Sequence, residues 1–222
     1  MDRLPNDDEL LPADTLTEKA YRALEEEIVT LRIPPGAVVS EAILSRRLGV
    51  GRTPVREALQ RLAREWLVVI MPRRGIVVSE IDPIRQLRVL EARREIERFL
   101  SRSAANRATD VQRVQFREIA AGMDEAAARA DDIAFMRLDR EFNLLVLDSA
   151  GNEFAAAAMS QMNGLSRRFW YVHYKQVADL PLAARLHADI ARAVADGDQD
   201  AAGQGSDALV GYIQAFARAT IG

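Results

Sequence analysis

Apolar positions recur with the period of a helix along most of this chain, and with the character of strands in one short stretch. From Thr17 to Leu31, Ala20, Leu24, Ile28 and Leu31 fall three or four apart, which predicts a first helix ended by Pro34-Pro35-Gly36. Ile43, Leu44 and Leu48 form an apolar stripe on a short second helix that Ser40 or Glu41 opens. Gly49 then falls where two helices must meet sharply, a position suited to a residue that takes positive φ at little cost. A third helix starts between Gly51 and Thr53, with Pro54 in its first turn, where a missing N–H matters least. Val55, Ala58, Leu59 and Leu62 give that helix one buried face. Val68-Val69-Ile70 and Ile76-Val77-Val78 are β-branched runs joined by Met71-Pro72-Arg73-Arg74-Gly75, the pattern of a hairpin with a basic tip.

Beyond Pro83 the helical period is unbroken by any strand signal. The punctuation predicts six helices: Pro83 to Asn106, Thr109 to Arg129, Asp131 or Asp132 to Ser149, Glu153 to Gln176, Pro181 to Ala195, and Gln199 to Thr220. The expected fold class is mainly α: an N-terminal winged helix-turn-helix with a small β-hairpin wing, then an all-α six-helix bundle. The expected division is an acidic, disordered tail over residues 1–15, a winged helix-turn-helix domain over 16–80, and an all-helical domain over 83–222. Ser79 to Pro83 serve as a compact linker.

Charge sharpens the picture of the first domain. The whole chain is net −3, yet Ile43 to Val78 carries eight arginines against two glutamates. That local excess creates the field a polyanion meets, whatever the overall balance. Arg52 and Arg56 lie four apart near the start of the third helix with Thr53 beside them, and Arg46 precedes them. Side chains so placed reach phosphates and base edges when a helix lies in the major groove. Arg73, Arg74 and Gly75 at the hairpin tip extend the same surface. The absence of cysteine excludes disulfides, zinc ribbons and thiol catalysis, and suits a reducing cytoplasm. No segment approaches a membrane span, and the acidic opening lacks the basic start of a secretory signal.

The run LGVGRTPVREALQRL followed by PRRGIVV resembles the winged helix-turn-helix of the GntR family of bacterial transcription regulators. The segments LDREFNLLVLDSAGN and LHADIARAVADGDQDAA resemble the FCD effector domain of its FadR-like branch. The resemblance implies a homodimeric regulator, a repressor in our reading, on a palindromic operator in double-stranded DNA, controlled by a small molecule bound in the helical domain. It places DNA contacts at Arg52, Thr53, Arg56, Arg74 and Gly75. The chain departs from the family at Gly51, usually Ser, and at Trp66, usually Gly. With Trp66 there, a left-handed cap on the third helix is not expected.

Many FCD domains hold a metal through an Asp, a His four residues later, and two further His. Asp139 and His187 match two of these positions, whereas Asn143 and Leu209 stand at the others. One carboxylate and one imidazole hold zinc or nickel weakly, and His173 is the one histidine left to supplement them. The resemblance also suggests that a central cavity persists around Arg93, Asp139, Asn143, Arg168 and His187, where an arginine pairs with a carboxylic acid effector. Phe169-Trp170-Tyr171 reads as core and dimer packing rather than a ligand cage. Two other readings remain open from the residues. One is a DNA-binding dimer whose helical domain senses nothing. The other is a metal-assisted enzyme using Asp139 and His187, against which no nucleophile, base and orienting group can be assembled.

Overall fold

The computed structural model describes residues 15–71 and 75–221. Arg73 and Arg74, and the acidic segment 1–14, lie outside the described residues. The chain forms two compact units that divide between Glu80 and Ile81.

The first unit contains α1 (Leu16–Val29), β1 (Val38–Val39), α2 (Glu41–Leu48), α3 (Arg52–Arg64), β2 (Val68–Met71) and β3 (Gly75–Val78). Thr15 caps α1 and Ser40 caps α2, each accepting a backbone N–H with its hydroxyl, which satisfies a donor the helix cannot. Gly49 ends α2 at φ 67°, the left-handed turn expected of it. Leu24 and Ile28 of α1, Leu44 of α2, and Val55, Leu59 and Leu62 of α3 are buried. Burying side chains of this size contributes roughly 1.5–3 kcal/mol each.

Four details depart from the sequence expectation. The first helix stops at Val29, and Leu31 lies past it at φ 62°. Ile43 is 57% exposed, which leaves Leu44 as the buried anchor of α2. The wing is a three-stranded antiparallel sheet of order β1-β3-β2, with Val38 opposite Val77 and Val68 opposite Val78. The two-residue strand β1 gives no periodic signal, so only its pairing reveals it.

The fourth is Trp66, which adopts the left-handed conformation at φ 57° despite its side chain. Its N–H donates to Ala63 O at 3.1 Å, and Leu67 N–H donates to Leu62 O at 3.0 Å. These two bonds are the Schellman closure of a helix end. Ser79 Oγ donates to the Trp66 carbonyl at 2.6 Å, and Ser79 N–H to Leu67 O at 3.0 Å. Four hydrogen bonds thus outweigh the steric cost of a Cβ in that region.

The second unit is all-helical among its described residues: α4 (Pro83–Arg107), α5 (Asp110–Arg129), α6 (Asp132–Ala150), α7 (Glu153–Val177), α8 (Leu180–Asp196) and α9 (Gln199–Ala219). Each begins at a residue whose side chain accepts a first-turn N–H: Asp82, Thr109, Asp131, Asn152, Asp179 and Asp198. Thr109 does so as a reciprocal capping box with Gln112. The alanine-rich face of α8 (Ala184, Ala188, Ala191) lets α5 approach closely, and Phe116 and Met123 of α5 are fully buried in the same core. A smaller cluster joins Leu90, Phe169, Val210 and Phe216. No described helix is long and apolar enough to cross a membrane.

Candidate functional site

Two regions carry candidate chemistry, one in each unit. In the first, α3 presents Arg52, Thr53 and Arg56 to solvent at its N-terminal end, while the opposite face is buried. Gly51 caps that end without a side-chain hydrogen bond. The helix therefore begins with its positive dipole end unopposed by a capping oxygen. Arg46 is also exposed, in the last turn of α2, where Ser45 Oγ closes the turn by donating to Val50 O at 2.6 Å. Gly75 opens β3 at φ 91°, a conformation that L side chains rarely adopt.

Arg56 is engaged as well as exposed. Its Nε and Nη2 donate to the two carboxylate oxygens of Glu41, each at 2.9 Å. Hydrogen bonding from Arg56 holds the Glu41 carboxyl below the usual carboxylate range. Arg61, half-buried, is turned to the rest of the unit instead. It donates to Glu65 at 3.1 Å and to Glu18 at 2.8 Å, and its guanidinium lies 3.5 Å from the Tyr21 ring centroid. Tyr21 Oη donates to Glu65 at 2.9 Å, closing a network between α1 and the end of α3. Burial pushes the Glu65 carboxyl up despite these bonds, and also pushes the Tyr21 hydroxyl up.

In the second unit a cavity of about 120 Å³ is walled by α4, α6, α7, α8 and α9. Arg93, Asp139, Asn143 and His187, drawn from three helices, all reach it. His187 is its best-defined group. Nε2 lies 2.9 Å from Asp139 Oδ1 and Nδ1 lies 2.7 Å from the Ala183 carbonyl. Both partners accept, so the arrangement suits an imidazolium donating from both nitrogens. Burial pulls the His187 pKa down, but Asp139, the Ala183 carbonyl and the Glu97 charge together raise it above the ordinary value. Phe135 and Phe142 meet the ring edge to face, 5.7 and 5.4 Å between centroids. Asn143 Nδ2 donates to the same Asp139 oxygen at 3.0 Å, and Arg93 Nε donates to Glu97 at 2.6 Å.

Arg168 does not fit its expected place. It is 2% exposed and does not line the cavity, whereas the preceding Arg167 does. Successive residues on a helix point about 100° apart, so only one of the two faces the opening. Trp170 also lines the cavity, correcting its assignment to packing alone, whereas Phe169 packs on Phe216 and Tyr171 is exposed. Sequence reasoning missed Glu97, Trp170 and Tyr212. Glu97 had one signal, standing four residues after Arg93.

The residues present do not fit a tightly held metal. Nε2, the ring nitrogen that would ligate, is already paired with Asp139 at 2.9 Å, and position 209 contributes the Leu209 side chain to the wall. His173 packs at a tilt against Phe169 and does not line the cavity, so it does not complete the set. Asp207 is turned to Arg98, 2.7 Å between Nη2 and Oδ1. Among the described residues no group of three or more His, Cys, Asp or Glu is placed to share an ion.

Comparison with known proteins gives both units a family. Residues 16–78 match the gntR family of bacterial regulatory proteins, and residues 88–211 match the FCD domain. The chain is 31% identical over 193 residues to the HTH-type transcriptional repressor RspR of Escherichia coli K12, covering 87% of this chain and 85% of that one. It is 26% identical over 172 residues to the Nta operon transcriptional regulator of Aminobacter aminovorans, covering 78% and 80%. The solved structure of E. coli McbR/YncC shares the fold, with a TM-score of 0.76 at 18% identity over 94% of this chain and 99% of that one. The chain therefore belongs to the gntR family of bacterial regulatory proteins, as a transcription regulator with an FCD domain rather than an enzyme.

Proposed function

We propose that this regulator is a cytoplasmic repressor that binds a palindromic operator as a homodimer and releases or tightens it when a small carboxylic acid enters the helical unit. The observation that carries the DNA half is the exposed trio Arg52, Thr53 and Arg56 at the open N-terminal end of α3. Inserted into a major groove, these side chains have the reach and the donors for phosphates and guanine edges, and the proposed contact takes in the exposed Arg46 and Gly75 as well. Arg73 and Arg74 extend the proposed contact from the sequence alone. RspR is named a repressor, which supports that direction of control. Gel retardation of the protein's own promoter fragment tests the reading. Arg52→Ala should weaken specific binding by roughly 1–3 kcal/mol if it reads a base, or lower the salt slope by about one if it touches phosphate. Specific binding unchanged in both Arg52→Ala and Arg56→Ala means another surface meets the DNA.

The effector half is supported by a cavity whose wall carries Arg93, Arg167, the His187–Asp139 pair and Asn143. A second reading, that the helical unit only dimerises, draws on the internal pairing of Arg93 with Glu97 and of His187 with Asp139. Operator affinity measured with and without a panel of small acids separates the two. A sensor shifts with at least one acid, because an effector acts only through its different affinity for two states.

A further inference from the structure

The start of α1 is tied to the outer face of α3, where Thr17 Oγ1 donates to Glu57 Oε2 at 2.6 Å. Glu57 stands between Arg52 and Arg64 on that exposed face. With a rise of roughly 1.5 Å per residue, Arg52 lies about 7 Å along the helix in one direction and Arg64 about 10 Å in the other. Arg46, Arg52 and Arg64 are exposed and take no part in the ion pairs of the described residues. Arg56 by contrast is held by Glu41, and Arg61 by Glu18 and Glu65. Ahead of α1, residues 1–14 carry five carboxylates and one arginine.

We propose that the acidic segment 1–14 docks on the outer face of α3 as an internal competitor for DNA, pairing with Arg46, Arg52 and Arg64 when no duplex occupies them. The proposal rests on the reading of that face as the DNA contact and adds a regulator of it carried by the same chain. Reach allows it. Asp7, Asp8 and Glu9 stand six to eight residues before Thr15, a tether of at most roughly 20–28 Å. That span exceeds the distance from Glu57 to either end of the face. Charge selects the occupant: the segment is anionic, as a phosphate backbone is, and the three arginines carry no carboxylate of their own. Each such surface contact is weak. A short tether, however, supplies the carboxylates at an effective concentration on the order of millimolar. Operator and nonspecific duplex alike must displace the segment, so it lowers affinity for both by one factor and leaves their ratio unchanged.

The test has two arms, both on the full chain. The sequence has no cysteine, so Asn6→Cys accepts a single nitroxide label. Without DNA, that label should broaden the backbone amide signals of Arg46, Arg52 and Arg64 at low salt. The broadening should vanish at about 1 M salt, where the Debye length is about 3 Å. Broadening confined to the first turn of α1, or indifferent to salt, overturns the docking. In the second arm, the triple variant Asp7→Asn, Asp8→Asn, Glu9→Gln should bind nonspecific duplex on the order of fivefold tighter than the parent at low salt, and equally at high salt. Fluorescence anisotropy reads the difference. The same gain without broadening at α3 would make the segment a remote repulsive charge, and the docking falls. Broadening with unchanged DNA affinity overturns the competition. If neither chain binds any duplex, the DNA reading falls and the competition with it, while the label still decides whether the segment docks.

Discussion

Arg56 of α3 and Glu41 of α2 meet as a two-pronged ion pair, with both guanidinium-to-carboxylate distances at 2.9 Å. The pair joins the two helices of the helix-turn-helix and sets a negative charge directly beside a proposed DNA contact. A phosphate approaching Arg56 must share it with Glu41 or displace that carboxylate. Glu41→Gln should therefore tighten binding to nonspecific duplex on the order of fivefold at low salt, the gain of removing one like charge from the contact. The gain should fade towards physiological ionic strength. Titration by fluorescence anisotropy at two salt concentrations measures it. Weaker binding by the variant would instead mean that Glu41 is needed to aim the guanidinium.

Arg61 shows how an arginine in a basic stretch can be structural. Its removal leaves Glu65, 4% exposed, with the Tyr21 hydroxyl and no neighbouring guanidinium. Arg61→Ala should cost about 1–2 kcal/mol in the first unit, a value discounted because the arginine side chain itself is 37% exposed. Tyr21→Phe keeps the ring under the guanidinium and should cost about 1 kcal/mol for the lost hydrogen bond. The chain has two tryptophans, one in each unit. A Trp170→Phe background lets Trp66 report this unfolding alone. Equal stability of Arg61→Ala and the parent would place the network outside the energetics of the fold.

Trp66 isolates the cost of a side chain in a left-handed cap. Trp66→Ala and Trp66→Gly remove the same indole, which is 43% exposed, and differ only at Cβ. The glycine variant should be the more stable by about 0.5–1 kcal/mol, the left-handed penalty less the extra freedom glycine gains when unfolded. Thermal melting followed by circular dichroism compares them. An alanine variant at least as stable as the glycine one would show the cap relaxing out of that region.

These residues mark where the sequence is legible. Most helix starts are readable because an acceptor side chain stands at one position, as Thr109, Asn152 and Asp198 do. Trp66 defeated the same local logic because its conformation is imposed by Leu62, Ala63 and Ser79, one of them thirteen residues away. The candidate sites divide the same way. Arg52 and Thr53 face solvent because α3 has one periodic buried face. Glu41 lies on α2 and Glu18 and Tyr21 on α1, so no pattern within α3 could name them as partners of Arg56 and Arg61. Arg167 and Arg168 are neighbours in sequence, and only the rotation of α7 decides which reaches the cavity.

The cavity wall also says what a metal site lacks. Asn143 and Leu209 both line the chamber that holds Asp139 and His187. The double variant Asn143→His with Leu209→His would complete, with Asp139 and His187, a set of four ligand positions, the number zinc favours. It should gain at least a hundredfold in zinc affinity over the parent, read by competition with a chromogenic chelator. A gain of less than tenfold would mean that the His187–Asp139 pair does not open to admit an ion.

That pair should also write a pH dependence into the helical unit. The folded His187 pKa stands above its unfolded value of about 6.5, so the native state holds the proton more tightly than the unfolded chain does. The contribution is fully present below about pH 6.5 and is lost as pH rises through the raised folded pKa. The urea midpoint of the second unit, followed by Trp170 in a Trp66→Phe background, should therefore fall between pH 6 and pH 8.5. Asp139→Asn removes the strongest interaction that raises the pKa, while the burial that lowers it remains. The slope in that variant should flatten. An unchanged slope would assign the pH dependence to groups other than His187, and with it would go the imidazolium as the cavity's fixed positive charge.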